Sequence, residues 1–117
     1  MAPGATVLRH FASREAESLW LAIEEVLQQA PLRHMLTAGG STMSVQMSNG
    51  GLRGWVSAGG GYRYSTVDPV TNVPGPHMPE LFSVLASDAA AMAGYRGFKA
   101  DACLINRYAP GARMGMH

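Results

Sequence analysis

Glycine and proline punctuate the middle of this 117-residue chain so closely that no long helix or strand fits there. Between Pro31 and Pro79 stand Gly39-Gly40, Asn49-Gly50-Gly51, Gly59-Gly60-Gly61 and then DPVTNVPGPHMP over Asp68–Pro79, with four prolines. Each cluster is a turn signal, because glycine and asparagine accept a left-handed backbone while proline removes a donor and fixes φ. Only short strands fit between them. Ser41–Ser48, STMSVQMS, alternates in polarity and sets Met43, Val45 and Met47 on one side, with Thr42, Ser44 and Gln46 on the other. Asn49-Gly50-Gly51 reads as a hairpin turn into a return strand, Leu52–Ser57, that contains Trp55. Tyr62 and Tyr64, two apart after the triple glycine, share a face if they lie on a strand. Asp68–Pro79 is expected to be irregular.

Helices are expected on either side of this region. Ala5–Phe11, ATVLRHF, reads as a short opening strand. Ser13 then suits an N-cap, and Glu15 and Glu17 put negative charge where the helix dipole favours it. Leu19, Trp20, Ile23, Val26, Leu27 and Ala30 recur at helical spacing, so the stripe, Trp20 included, is expected to pack in the core until Pro31 ends the helix. Pro79 at the first helical position opens a second helix, PELFSVLASDAAAMAG. Leu81, Phe82, Leu85, Ala89 and Met92 or Ala93 form its inner face, and Gly94 is its terminator. The length suits one domain, 47% hydrophobic and 15% charged. No apolar run could span a bilayer and no secretory leader is legible, which points to the cytoplasm and away from membranes. A net charge of +1 neither demands nor excludes a nucleic-acid partner.

The last stretch, Asp101–His117, reads DACLINRYAPGARMGMH. Ala102–Tyr108 has strand composition and ends at Ala109-Pro110-Gly111, so Leu104, Asn106 and Tyr108 share one face while Cys103, Ile105 and Arg107 share the other. Past the turn, Arg113, Gly115 and His117 alternate with Met114 and Met116 as a returning strand would, and the chain stops on His117. Folds seldom stop on a half-built hairpin, so a truncated parent is expected. Cys103, alone, is expected to pack as a small hydrophobe. His10, His34, His77 and His117 are too far apart for a metal motif, and spacing alone assigns none of them to a metal. The methionines and aromatics of the middle region admit two readings. They either cover the core of a small antiparallel sheet or form a mobile cover whose flat faces, those of Trp55, Tyr62 and Tyr64, stack on bases.

At these residues a resemblance enters. LINRYAPGARMGMH resembles the start of the catalytic jelly roll of the AlkB family, Fe(II)- and 2-oxoglutarate-dependent dioxygenases that repair alkylated DNA. The resemblance continues upstream through GYRYSTVDPVTN and MLTAGGSTMSVQMSNGGLRGW to the first helix, and so covers nearly the whole chain. It implies that His117 is the first ligand of a histidine-x-aspartate iron motif whose aspartate would follow. Non-heme Fe(II) oxygenases use two histidines and a carboxylate, so this chain supplies at most one of three ligands. The resemblance further implies that Asn106 and Tyr108, with Leu104 and Arg107 alongside, position 2-oxoglutarate. Trp55 matches a tryptophan that stacks on the flipped, damaged base. Tyr62, Arg63 and Tyr64 match a substrate-contacting segment, Thr37 a backbone-contacting threonine, and Met43 and Met47 methionines near the pocket. Ser41 departs, standing where the bacterial pattern has a tyrosine.

The expected fold is α+β: an N-terminal strand and helix (1–36), a β-hairpin nucleotide-recognition lid (37–78), and a second helix with the first strands of a truncated double-stranded β-helix, or jelly roll (79–117). The implied parent is a monomeric oxidative dealkylase of 1-methyladenine- and 3-methylcytosine-type lesions, in single-stranded or flipped-base DNA or in RNA. It would couple 2-oxoglutarate decarboxylation to N-methyl hydroxylation and release succinate and formaldehyde, with the base extruded from its stack. The chain alone is expected to be inactive. Two rivals stand beside it: a non-catalytic single-stranded nucleic-acid-binding module, and a superfamily dioxygenase acting on protein or a small molecule.

Overall fold

The computed structural model describes residues 3–58 and 61–114. Among them are helices α1 (Ala16–Gln29) and α2 (Glu80–Met92) and strands β1 (Arg33–Leu36), β2 (Thr42–Gly51), β3 (Gly54–Ala58), β4 (Gly61–Ser65) and β5 (Ala102–Arg107). All ladders are antiparallel: β1-β2-β5 form one sheet and β3-β4 a second. The α+β expectation holds. β2 is central because its alternation serves a sheet with one dry face: Val45 and Met47 are buried with Met35 of β1, while Thr42 and Ser44 are exposed. On the opposite face the Ser48 hydroxyl donates to the carbonyl of Ala30, fixing the end of α1 against β2.

The hairpin expected at Asn49-Gly50-Gly51 does not form. β2 runs on through Gly51, paired with β5 as far as Ala102, and the following strand β3 pairs with β4 in the other sheet. These glycines answer close backbone approach rather than a tight turn. A Cβ on Gly50 would sit 3.1 Å from Cys103 Sγ, and one on Gly51, at φ +106°, 2.6 Å from the carbonyl oxygen of Asp101. The sequence reading also missed β1: its four residues, RHML, are too few to show a period.

Three further expectations fail near the N-terminus. Ala5–Phe11 is irregular and then turns, with His10 at φ 56°, and makes no ladder among the described residues. Ser13 does not cap α1; its amide donates to the carbonyl of His10, and the helix begins after Glu15 without a side-chain cap. Trp20 is 63% exposed. It lies about 100° around the helix from Leu19, off the line of Leu19, Ile23 and Val26 that faces inward. α2 forms as expected with Pro79 one position outside it, as N-cap. Leu81, Phe82, Leu85, Ala89 and Ala93 are half-buried, whereas Met92 is exposed. Gly94, at φ +97°, ends it: Tyr95 N–H donates to Ala90 and Gly94 N–H to Ala91, the paired bonds of a Schellman motif. Asp68–Pro79 is irregular as expected, closed on itself by Asp68, whose carboxylate accepts from the amides of Val70 and Thr71.

Candidate functional site

The cross-strand register of β2 and β5 decides which candidate residues meet. Met47 faces Asn106 and Asn49 faces Leu104, so Leu104 and Asn106 share the sheet face of the Met35–Val45–Met47 cluster. Cys103, Ile105 and Arg107 take the other face, paired with Gly50, Ser48 and Gln46. The period-2 reading therefore holds over 103–107, while Tyr108, expected on the face of Asn106, lies past the end of the strand. Arg107, named with Asn106 and Tyr108, stands on the face opposite Asn106 and is exposed. Burial pushes the Cys103 thiol upward, partly offset by a hydrogen bond with the Gly50 backbone, so the group stays protonated and packs as a small hydrophobe.

Over that face stands the β3–β4 hairpin. Trp55 packs against the methionine cluster, as do Met43 and Ala112. Trp55 pairs with Tyr64 and Ser57 with Tyr62, which sets all four on one face of the ribbon. The Trp55 and Tyr62 rings stack with centroids 5.2 Å apart and planes 24° from parallel. Tyr62 and Tyr64 nevertheless remain 62% and 61% exposed, too open for core residues. Arg63 faces Val56 on the opposite side of the ribbon and is exposed. Thr37 closes the β1–β2 connection: its hydroxyl oxygen accepts the Ser41 amide at 3.1 Å, and its own amide donates to the Ser41 carbonyl.

Past β5 the chain folds back onto β2; Arg113 and Met114, the described part of the returning strand expected over Arg113–His117, are in no ladder, and the rest of that expectation lies outside the described residues. The Ser44 hydroxyl accepts from the Arg113 amide and donates to the Arg113 carbonyl, both at 3.2 Å. Side-chain bonds thus replace a ladder there. The Tyr108 hydroxyl reaches the sulfur of Met114 at 3.7 Å. Gly115 and His117 lie outside the described residues, so the candidate iron ligand has no stated position. Among the described residues no three His, Cys, Asp or Glu side chains come together as a metal site would require.

Asn106 has the clearest ligand signature. Its Oδ1 is buried and has no hydrogen-bond partner. An orphaned buried carboxamide is costly, roughly 1–3 kcal/mol, and turning it by half a revolution presents N–H instead. It touches a cleft of about 440 Å³ between β5, α1 and α2 that is lined mainly by apolar side chains and takes in Cys103 and Ile105 of the other β5 face. Oδ1 is an acceptor as placed, so only the turned amide, with Nδ2 at that position, would donate to a carboxylate such as those of 2-oxoglutarate. A second cleft, about 500 Å³, lies between the end of α1, the sheets and residues 65–76, and of the candidate residues only Met47 lines it. The sequence reading missed Asn49, Met35 and Ser44. Asn49 was taken for a turn residue, although an asparagine within a strand is itself a signal that its side chain has work to do.

The fold and this face define a class. The chain matches the family model of the 2OG-Fe(II) oxygenase superfamily over residues 4–117, and it belongs to that superfamily. Within it the likeness is to AlkB proteins. The chain is 52% identical over its full length to the alpha-ketoglutarate-dependent dioxygenase AlkB of Escherichia coli and 51% identical to that of Salmonella typhimurium. It is 40% identical, over 81% of its length, to an AlkB homolog of Caulobacter vibrioides. The chain spans about half the length of these relatives, 54% of the first two and 43% of the third. No helix among the described residues is long and apolar enough to cross a membrane.

Proposed function

We propose that this chain is the substrate-recognising and cosubstrate-positioning part of an oxidative nucleic-acid dealkylase that acts on N-methylated bases of the 1-methyladenine and 3-methylcytosine type. The observation that carries the reading is the register Met47↔Asn106, with Met47 also in the cluster on which Trp55 packs. One sheet face thereby presents a buried, unpartnered carboxamide beside a tryptophan that an extruded base could reach. Residues 37–78 are the nucleotide lid and β5 the first strand of the jelly roll. Bound through Asn106, Tyr108 and Leu104, 2-oxoglutarate would supply the two electrons that oxygen activation needs at an iron to which His117 contributes one ligand. The chain's own residues bind and orient. Asn106 donates to a carboxylate, Tyr108 offers its hydroxyl from just past β5, and the methionines keep water from the base. Trp55 stacks on that base, with Tyr62 already covering one indole face; Tyr62 and Tyr64 contact the substrate, and Thr37 contacts the nucleic-acid backbone. Stacking reads a π-face, so DNA and RNA single strands both fit.

Formaldehyde release from an oligonucleotide carrying 1-methyladenine tests this, with iron(II) and 2-oxoglutarate supplied. The chain joined to the C-terminal half of the Escherichia coli relative should release it, and the 117-residue chain alone should not. Formaldehyde from the chain alone would refute its dependence on further ligands. A folded, iron-loaded joined protein that binds the oligonucleotide without demethylating it would instead favour a binding module.

A further inference from the structure

We propose that Asn49 is a positioning residue that fixes the Trp55 indole by clamping its backbone, a role that rests on the proposed stacking function of Trp55. Asn49 Oδ1 accepts the Trp55 amide at 2.9 Å, and its Nδ2 donates to the Trp55 carbonyl at 2.8 Å. The carboxamide thus bonds Trp55 as a neighbouring strand would. A carboxamide carries a donor and an acceptor in one plane, matching the N–H and C=O of a backbone residue as a carboxylate cannot. Strand backbone N–H and C=O groups of one residue point the same way, so Trp55 turns both toward β2, away from its partner Tyr64. Without Asn49 they would have no protein partner.

The clamp joins the two sheets at the useful place. Asn49 lies on β2, two residues from Met47 and opposite Leu104 on β5, while Trp55 lies on β3. With the Ser57 hydroxyl on the Leu36 carbonyl and the packing of Trp55 on methionine, this side chain sets the distance between the indole and the Asn106 face. Gly54 makes room for it. A Cβ there would stand 3.1 Å from Asn49 Cβ, 3.2 Å from Cγ and 3.4 Å from Nδ2. The Gly54 backbone is free of any positive-φ requirement, so its missing side chain is explained by the clamp.

The test uses the 117-residue chain with Trp20→Phe, so that Trp55 is the only tryptophan. Measured together are acrylamide quenching of Trp55, the near-ultraviolet dichroism of the Trp55–Tyr62 stack, the melting temperature, and binding of a single-stranded oligonucleotide with one 1-methyladenine. Asn49→Ala should raise quenching about twofold, weaken the stack signal, and cut affinity about tenfold or more, the scale of one lost base stack. Gly54→Ala should reproduce this from the other side, and the double variant should add little, since both break one contact. Asn49→Asp, which keeps the acceptor for the Trp55 amide, should fall between. A lower melting temperature with quenching, dichroism and affinity unchanged in the folded state would make Asn49 merely structural and overturn the proposal. If Asn49→Ala frees the indole but Trp55→Leu binds the oligonucleotide as tightly as the parent, the clamp stands and the stacking function falls.

Discussion

Replacing Trp55 separates its two contacts, because the structure gives it both a packing partner and an exposed stacking partner. It is half-buried against Met35, Val45 and Met47 and stacks on Tyr62 at 5.2 Å. A fully buried tryptophan cut to alanine costs about 3–5 kcal/mol. Partial burial reduces that, and with a stacked pair worth about 0.5–1.5 kcal/mol included, Trp55→Ala should cost about 2–3 kcal/mol. For a chain of this length that lowers the melting temperature by roughly 8–12 °C. Trp55→Leu refills much of the space against the methionines and should cost about 1 kcal/mol. Neither variant retains an aromatic plane, so both should lose roughly 1–3 kcal/mol toward an oligonucleotide bearing 1-methyladenine, about five- to over a hundredfold in affinity. Melting temperature and oligonucleotide titration on the two variants decide the matter. If affinity follows stability, falling for alanine but staying intact for leucine, Trp55 is core and its stacking role is wrong.

Two further outcomes follow from the geometry. Gly51→Ala places a Cβ 2.6 Å from the Asp101 carbonyl at φ +106°, so it should destabilise by more than about 2 kcal/mol and be seen as a lower melting temperature, whereas Gly61→Ala, with open space around it, pays for its positive φ alone. Burial raises the Asp68 pKa, but the Arg33 hydrogen bond at 2.9 Å, the Val70 and Thr71 amides and the Arg33 charge outweigh it and leave the group below its ordinary 3.8. A depressed folded-state pKa stabilises above the unfolded value and loses that stability as pH falls through the folded one. Melting temperatures should therefore drop below about pH 4 for the parent, and less steeply for Asp68→Asn, which should already be weaker at neutral pH by about 1 kcal/mol.

Period 2 carried most of what was legible. It set Met43, Val45 and Met47 on one side of β2 and Leu104 with Asn106 on one side of β5, because each strand has one face toward a dry cluster and writes that fact into its alternation. Helical spacing located α1 and α2 for the same reason, but it overreached at Trp20, which sits at the margin of the stripe where spacing is compatible with either side. What period cannot show is which strand pairs with which. Asn49-Gly50-Gly51 has the residues of a hairpin turn, yet the same glycines serve where two backbones and a sulfur crowd together, and nothing local distinguishes the two demands. At Arg113 the local alternation is likewise compatible with a ladder, and the Ser44 hydroxyl, 69 residues upstream, takes its backbone bonds instead.

The absence of a turn at Asn49 bears on how the β3–β4 hairpin is held. A turn at 49–51 would have made β2 and β3 neighbours in one sheet, with Trp55 locked to β2 by a full ladder of backbone bonds. The structure gives β2 to β1 and β5, and gives β3 to β4, so the hairpin that carries Trp55, Tyr62 and Tyr64 is tied to the central sheet by few bonds: the Asn49 carboxamide, the Ser57 hydroxyl on the Leu36 carbonyl, and packing on methionine. A ladder resists opening along its whole length, whereas isolated side-chain bonds yield at a net cost of about 0.5–1.5 kcal/mol each. Methionine suits the remaining contact, since its unbranched thioether repacks without a large penalty. A cover attached in this way can shift against Asn106 while β2 and β5 stay paired, the mechanical property that the proposed stacking of Trp55 on an extruded base would need.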